Sequence, residues 1–383
     1  MKTKTQKSQV NSPADARPPG QIVLALQGGG ALGAYQAGVY QALHEAGIEP
    51  DWVIGTSIGA INAALIAGNA PELRLLRMRE FWEEVEWNDP LGFAKTLPTW
   101  AATSFSNMAT VMRGVPGFFQ PNPKSWLGER AAVGLDDASF YQTEPLRHTL
   151  SRLVDFDLIN RHATRLTVGA VSVRTGAMRY FDSRDEPLQV EHIMASGALP
   201  PAFPAVRIDG EPYWDGGIYS NTPIEAVLDD NPRVSSTIFN VHLWNPNGPE
   251  PQSIWDVLGR QKDIQYSSRA VSHVNRQKQI HRLRHVISQL AQHLPANSPN
   301  AEAVRELAAW GCRTTMHIVR LLAPRLEGED HTKDIDFTPG GIKTRWTAGY
   351  ADTQDALGKM PWNCELDPLE GVLLHEHESM FHG

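Results

Sequence analysis

After a polar opening stretch, the chain begins its patterned part with a continuous apolar run, Ile22 to Leu26, closed by Gln27 and by Gly28, Gly29 and Gly30. A short β-prone block of this kind, ending on glycines, is the pattern of a buried parallel strand entering a turn. The next apolar positions, Val39, Leu43 and Ala46, are spaced by four and three and stop at Gly47, which predicts a helix. The cycle then repeats. Residues 51–54 read as a second strand, 55–59 as a tight turn and 61–68 as a second helix. Two strand, turn and helix units in succession predict an α/β fold, a parallel sheet with helices packed on its faces.

Residues 71–86 carry Leu73, Leu76, Phe81 and Val85 at helical spacing and predict an amphipathic helix with those four inward. From 87 to 141 the period weakens while Phe93, Trp100, Phe105, Phe118, Phe119 and Trp126 gather among prolines and glycines. A long irregular segment rich in aromatics is expected to cap an apolar channel or to form a satellite core. Regular patterning returns as a helix over 143–154, a hairpin from 166–173 and 177–182, a short helix over 190–196, a strand over 205–208 and a buried strand near 237–244. Beyond 250 the chain reads as mainly helical. The organisation expected is therefore a disordered leader over 1–20, a catalytic domain over 21–249 with a candidate cap at 87–141, and a mainly helical extension over 250–383. The leader has no apolar centre of the kind a secretory signal needs, and no run approaches the roughly 20 apolar residues of a membrane span.

The charge balance of 43 acidic against 35 basic residues, −8 overall, works against nucleic acid as a partner, because the whole-molecule field repels a polyanion. The cysteines, Cys312 and Cys364, stand far apart without metal-ligand spacing, so neither a disulfide framework nor a zinc site is expected and a reducing cytosol fits. Chemistry enters with Gly55-Thr56-Ser57-Ile58-Gly59, a G-x-S-x-G sequence set between a predicted strand and a predicted helix, the context of a nucleophile elbow. The loop from Gly28 to Gly33 (GGGALG) opens the preceding helix, so its amides suit either an oxyanion or a phosphate. The phosphate alternative lacks the acidic residue expected after a second strand, where Ser57 stands instead. A third element, Asp215-Gly216-Gly217, follows a short strand far downstream.

The glycine loop, the serine elbow and the Asp-Gly-Gly turn, in this order, resemble the patatin-like phospholipase family. The stretch Ala195-Ser196-Gly197-Ala198-Leu199-Pro200-Pro201-Ala202-Phe203-Pro204 is similar to the family's A-S-x-A-x-P-x-x-F-P segment, and Asn221 and Pro223 match its continuation after the aspartate. The likeness runs from about residue 21 to 245, and the tail resembles an extension carried by some bacterial members. The resemblance implies a three-layer α/β/α fold with a mainly parallel central sheet. It implies a serine esterase acting on a lipid or other acyl ester, with Ser57 as nucleophile, Asp215 as its base, Gly28, Gly29 and Gly30 as oxyanion hole, Gly33, Gly55, Gly59, Gly216 and Gly217 as motif glycines, and no metal or cofactor. A thioesterase using the same dyad and a non-catalytic lipid-binding protein are the alternatives. One departure concerns headgroup preference: Leu32 stands where many relatives carry Lys or Arg.

Other readings compete at single positions. His192 and His242 are candidates for a histidine base, although a histidine among apolar residues is more often structural. His375-Glu376-His377 is a candidate metal ligand set, against the plainer expectation of exposed tail histidines. Between Gly259 and Leu294, Arg260, Lys262, Arg269, Arg276, Lys278, Arg282 and Arg284 face only Asp263, while Ile280, Leu283, Ile287, Leu290 and Leu294 repeat at helical spacing. That segment is a candidate for peripheral contact with an anionic membrane at the inner, cytoplasmic face.

Overall fold

The computed structural model describes residues 17–87, 99–293, 301–326, 329–364, 367 and 369–376. The first unit is β1 (Gln21–Leu26), a single 3₁₀ turn over Gly30–Gly33 and α1 (Ala34–Glu45). The second is β2 (Trp52–Gly55) and α2 (Ile58–Ala67), after which α3 (Pro71–Glu84) starts on a proline, whose missing N–H is no loss at a helix start. Then come α4 (Thr99–Arg113), the short pair β3 (Gln120–Pro121) and β4 (Tyr141–Gln142), α5 (Glu144–Leu153) and α6 (Phe156–Asn160). The middle of the chain supplies β5 (Arg165–Ser172), β6 (Met178–Asp182), α7 (Val190–Ser196), β7 (Val206–Ile208), β8 (Glu211–Asp215), α8 (Ile224–Leu228) and β9 (Ser236–His242). The C-terminal part contributes α9 (Ile254–His293), α10 (Ala301–Ala308), β10 (Met316–Leu322), α11 (Pro339–Lys359) and β11 (Val372–Glu376).

Apart from β3 and β4, which pair only with each other, these strands form one sheet in the order β11, β10, β9, β1, β2, β5, β8, β7, with β6 also on β5. From β11 to β5 every pairing is parallel, while β6, β7 and β8 join antiparallel. The continuous apolar run of β1 follows from burial on both faces, whereas β9, equally buried, mixes Ile238, Phe239 and Val241 with Ser236, Thr237, Asn240 and His242. Ile22, Leu24 and Leu26 enter the larger core with Tyr40, Ile61 and Phe81, whereas Val23 and Ala25 meet Trp52, Ile238, Ile224 and Val274 on the opposite side. The three-layer, mainly parallel α/β architecture is thus the one expected.

Several local expectations change. In α3, Leu73 and Leu76 are exposed, and the inward face is Arg74, Met78, Phe81, Trp82 with Val85 just beyond. A buried arginine misleads an apolar-period reading, yet this one is satisfied by the Asn69 carbonyl at 3.0 Å, Glu49 at 2.6 Å and Thr164 at 2.7 Å. In α9 the buried face is the polar stripe Asp263, Ser267, Gln277, His281 and His285 with Val274, while Leu283 and Leu290 of the expected apolar stripe are exposed and Leu294 lies outside the described residues. Part of this stripe is paired, Asp263 with Lys333 at 2.7 Å and Gln277, as donor, with Asp229 at 2.7 Å. Of the basic residues on α9, Lys262 is committed to Asp334 and Arg260 to the Pro246 carbonyl, whereas Arg276 and Arg282 face outward. Residues 1–16 of the leader lie outside the description, but its end is held, since Thr237 donates to the Pro19 carbonyl at 2.8 Å. Among the described residues no helix is long and apolar enough to cross a membrane.

The C-terminal part is mainly helical, and it is also built into the sheet through β10 and β11. Its α11 lies directly on α1. The backbones approach so closely that a Cβ on Gly38 would stand 1.9 Å from the Trp346 carbonyl oxygen, a contact only glycine permits.

Candidate active site

The turn at Ser57 is forced by crowding. Ser57 links β2 to α2 at φ 57° and ψ −127°, a backbone region that non-glycine residues rarely occupy. The turn closes because its flanks have no side chains: a Cβ on Gly59 would lie 2.3 Å from the Leu26 carbonyl oxygen, and one on Gly55 2.2 Å from the oxygen of Gly59. Ser196, at the end of α7, braces the turn by accepting the Ser57 N–H on its Oγ at 3.1 Å and donating to the Gly169 carbonyl at 2.7 Å. The resemblance covered Ser196 as part of a motif, but its role as a brace depends on contacts far apart in sequence.

Strand register brings Asp215 to this turn. On β5, Val168 pairs with Gly55, the last residue of β2, and two steps further Ala170 pairs with Asp215 of β8. Because β6 covers the other edge of β5 along the same stretch, β2 and β8 must share one edge, end to end. Ser57 leaves the sheet at this gap and Asp215 reaches it from the opposite direction. Gly216–Ile218 then form a 3₁₀ turn whose Gly217 N–H donates to the Asp215 carboxylate at 2.7 Å. Asp215 is 2 % exposed. Burial pushes its carboxyl from an ordinary 3.8 up to about 7, against hydrogen bonds from the Ser57 hydroxyl and the Gly217 amide, which favour the ionised form. A carboxylate at such a value is a base matched to neutral pH.

The glycine loop covers the same gap, anchored by Gly28. The Gly28 N–H donates to the Asn221 carbonyl at 3.1 Å, and the Gly28 oxygen accepts from Asn221 Nδ2 at 3.0 Å and Trp244 Nε1 at 2.8 Å. Its amide is therefore spent, and the expected three-amide cradle narrows to Gly29 and Gly30, whose N–H groups have no hydrogen bond among the described residues. Gln27 fixes the loop from below, accepting the N–H groups of Leu243 and Trp244 at 2.6 and 3.1 Å. Gly33 leads into α1 and accepts from Asn62 at 3.0 Å. No local signal marked Gln27 or Trp244, because each acts through residues about two hundred positions away.

Ser57, Asp215 and Gly28 to Gly30 line one cavity of about 230 Å³. Its remaining wall is largely apolar and includes Ile61, Val111, Phe118, Phe119, Phe203 and Phe337. The aromatic segment thus does contribute a wall, through Phe118 and Phe119, which pack edge-on at 5.5 Å and reach Phe203 at 6.0 and 5.2 Å. Trp126 does not take part and is 86 % exposed. Phe93 lies outside the described residues. The C-terminal part closes the cavity with Tyr266 of α9 and with Asp334, Ile335 and Phe337. Leu32 is buried away from this cavity, against a separate small space lined by Leu243 and Lys333.

Neither candidate histidine base lines the cavity. His192 packs edge-on against Phe181 and its Nδ1 accepts the Gln189 N–H at 2.9 Å. His242 pairs through Nε2 with Asn240 at 2.9 Å, and burial, helped by the charge of Arg320, lowers its pKa to about 3.

Comparison with known proteins gives matches over both parts of the chain. Residues 24–228 match the family described as patatin-like phospholipase, and residues 264–369 match one described as patatin phospholipase. The lysophospholipase NTE1 of Candida glabrata is 26 % identical over 241 residues, 62 % of this chain and 11 % of that protein. The triacylglycerol lipase ptl3 of Schizosaccharomyces pombe is 40 % identical over 62 residues, 16 % of this chain and 13 % of that protein. The matched regions are thus small parts of those relatives. Among solved structures, VipD from Legionella pneumophila aligns over 90 % of this chain and 67 % of its own at 17 % identity, with a TM-score of 0.37.

Proposed function

Because the chain belongs to the patatin-like phospholipase family, we propose that it is a lipid acyl hydrolase in which Ser57 attacks a fatty-acyl ester and Asp215 handles the protons. The Ser57 oxygen adds to the carbonyl carbon as its proton passes to the Asp215 carboxylate. The amides of Gly29 and Gly30 hold the oxyanion of the tetrahedral intermediate. Collapse expels the alcohol, which takes the proton back from Asp215, and leaves an acyl-serine. Water, deprotonated by Asp215, adds to that ester, and the second collapse returns the proton to Ser57 and frees the fatty acid. The scheme uses no metal and no cofactor.

The observation that carries this reading is a serine and a buried carboxylate in one apolar cavity whose described lining includes no histidine. An apolar wall suits an acyl chain, and the fixed amides suit the charge that develops on its carbonyl oxygen. The test is hydrolysis of a phospholipid and of a neutral acyl ester by folded Ser57→Ala and Asp215→Asn. Each variant should fall to near background, the double variant should be little worse, and a fluorophosphonate should label wild type but not Ser57→Ala. Substantial turnover by Ser57→Ala rejects the mechanism, whereas turnover by Asp215→Asn alone reopens the choice of base.

A further inference from the structure

At the β11 edge of the sheet, three potential metal ligands that are scattered in sequence converge. Val319 of β10 pairs with His375 of β11, and His317, two residues before Val319, presents its ring on the same face. The two imidazoles stack with centroids 5.3 Å apart and planes 8° from parallel, and Nδ1 of His317 stands 3.0 Å from Nε2 of His375. Cys364, on the segment between α11 and β11, brings its sulfur to the same place, so that the three donor atoms all lie within 4.8 Å of one another. Strand pairing supplies a proximity that chain spacing does not. It overturns two expectations, that Cys364 has no ligand neighbours and that His375 lies in an exposed tail.

We propose that His317, His375 and Cys364 form a binding site for a divalent transition-metal ion, with zinc the ion that two imidazoles and a thiolate suit best. Zinc bonds of roughly 2.0–2.1 Å to nitrogen and 2.3 Å to sulfur place two nitrogens and a sulfur about 3.3–3.6 Å apart in a tetrahedral site. The histidine nitrogens are already near that separation. Cys364 is exposed and on an irregular segment, so its sulfur can close the remaining distance. His317 is only 4 % exposed, and its ring is held by the sheet. In the metal-free chain the contact between Nδ1 of His317 and Nε2 of His375 is an N–H···N hydrogen bond, which binding replaces, each neutral ring turning a lone pair to the ion and keeping its proton on the other nitrogen. Lys278 lies close enough for its charge to be felt at His375. The Lys278 charge opposes a cation, and the thiolate offsets it. Binding replaces the Cys364 S–H bond by an S–zinc bond and releases the proton to solvent, with water completing the coordination.

None of the three residues lines the cavity that holds Ser57, so this site is independent of the hydrolase reading and acts as a clip. It ties the last strand of the sheet and the segment before it to β10.

The test uses the untagged full chain, freed of metal by chelation and dialysis, and zinc chloride as the probe. One zinc should bind per chain. Cobalt in its place should give a thiolate-to-metal charge-transfer band that disappears in Cys364→Ser and survives in Cys312→Ser. Cys364→Ser and His375→Asn should each weaken zinc binding by more than about tenfold, as loss of one of three protein ligands requires. Zinc should raise the thermal midpoint of wild type and not of Cys364→Ser. Because Cys364 is exposed, that variant is expected to fold, and it decides the matter alone if His375→Asn does not. Absence of stoichiometric zinc, unchanged affinity in Cys364→Ser, or a cobalt spectrum without the thiolate band overturns the proposal.

Discussion

At the scale of the residue, the most unusual group is Asp215, because a carboxyl with 2 % exposure is costly to ionise. Its pKa of about 7 in the fold against an ordinary 3.8 fixes the sign of its effect on stability. The folded state holds this proton more tightly than the unfolded chain, so the group's contribution is absent below the unfolded value and becomes increasingly destabilising as pH rises through the folded one. Above that point the cost approaches roughly 4 kcal/mol, three pKa units at 1.36 kcal/mol each. Asp215→Asn keeps an acceptor for the Gly217 N–H and removes the charge. Its stability relative to wild type, measured by denaturant unfolding, should therefore rise between about pH 4 and pH 7 and then level off. A constant difference across that range would mean that the carboxyl does not titrate as its burial requires. With Asp215 as the proposed base, the same pKa predicts that kcat/KM for ester hydrolysis climbs towards a plateau above about pH 7, since only the ionised form would accept the Ser57 proton.

At the scale of the element, the stretch between α3 and α5 divides its labour. Phe118 and Phe119 turn into the cavity and pack with Phe203, while Phe118 also meets Phe337 of the C-terminal part at 5.8 Å. Met108, Met112, Trp126 and Leu127 remain exposed on the same stretch. If the phenylalanines form the acyl wall, then Phe118→Ala and Phe119→Ala should slow turnover of long acyl chains more than of short ones. Truncating a buried phenylalanine also destabilises a protein by about 3–5 kcal/mol. The ratio of long-chain to short-chain rates in one preparation cancels any loss of folded enzyme, and an unchanged ratio would assign these rings to packing alone.

At the scale of the whole molecule, the C-terminal part cannot be treated as an ornament. It supplies β10 and β11 to the sheet, lays α11 on α1 and lines the cavity with Tyr266, Ile335 and Phe337. Polar contacts reinforce the joint, including Tyr35 to Asp352 at 2.9 Å and Trp346 to Gln41 at 2.7 Å. A chain ending at residue 250 would leave the backbone edge of β9 unpaired where β10 now lies, a known route to aggregation. The fragment 17–250 should accordingly be insoluble or unfolded by circular dichroism and devoid of hydrolysis. A soluble, cooperatively folding and active fragment would show that the N-terminal part is a domain in its own right.

Much of the candidate site's backbone shape was legible locally, because turns obey local chemistry. Glycines at 55 and 59 around a serine, a glycine run after an apolar strand and an Asp-Gly-Gly turn each prescribe a backbone shape within a few residues. Apolar runs likewise announced β1 and β2, since strands buried on both faces are commonly written that way, while β9 was legible from Ile238, Phe239 and Val241 despite the buried polar residues between and around them. Where burial is satisfied by polar partners, as at Arg74 and at Asp263 of α9, periodicity pointed to the wrong face. What only the tertiary structure decided are the meetings between distant segments: Asp215 with Ser57 along one edge of β5, Asn221 and Trp244 on the Gly28 carbonyl, and Cys364 beside His317 and His375. Each depends on strand order and register, which arise from the packing of the whole sheet and leave no mark in the spacing of the residues they unite.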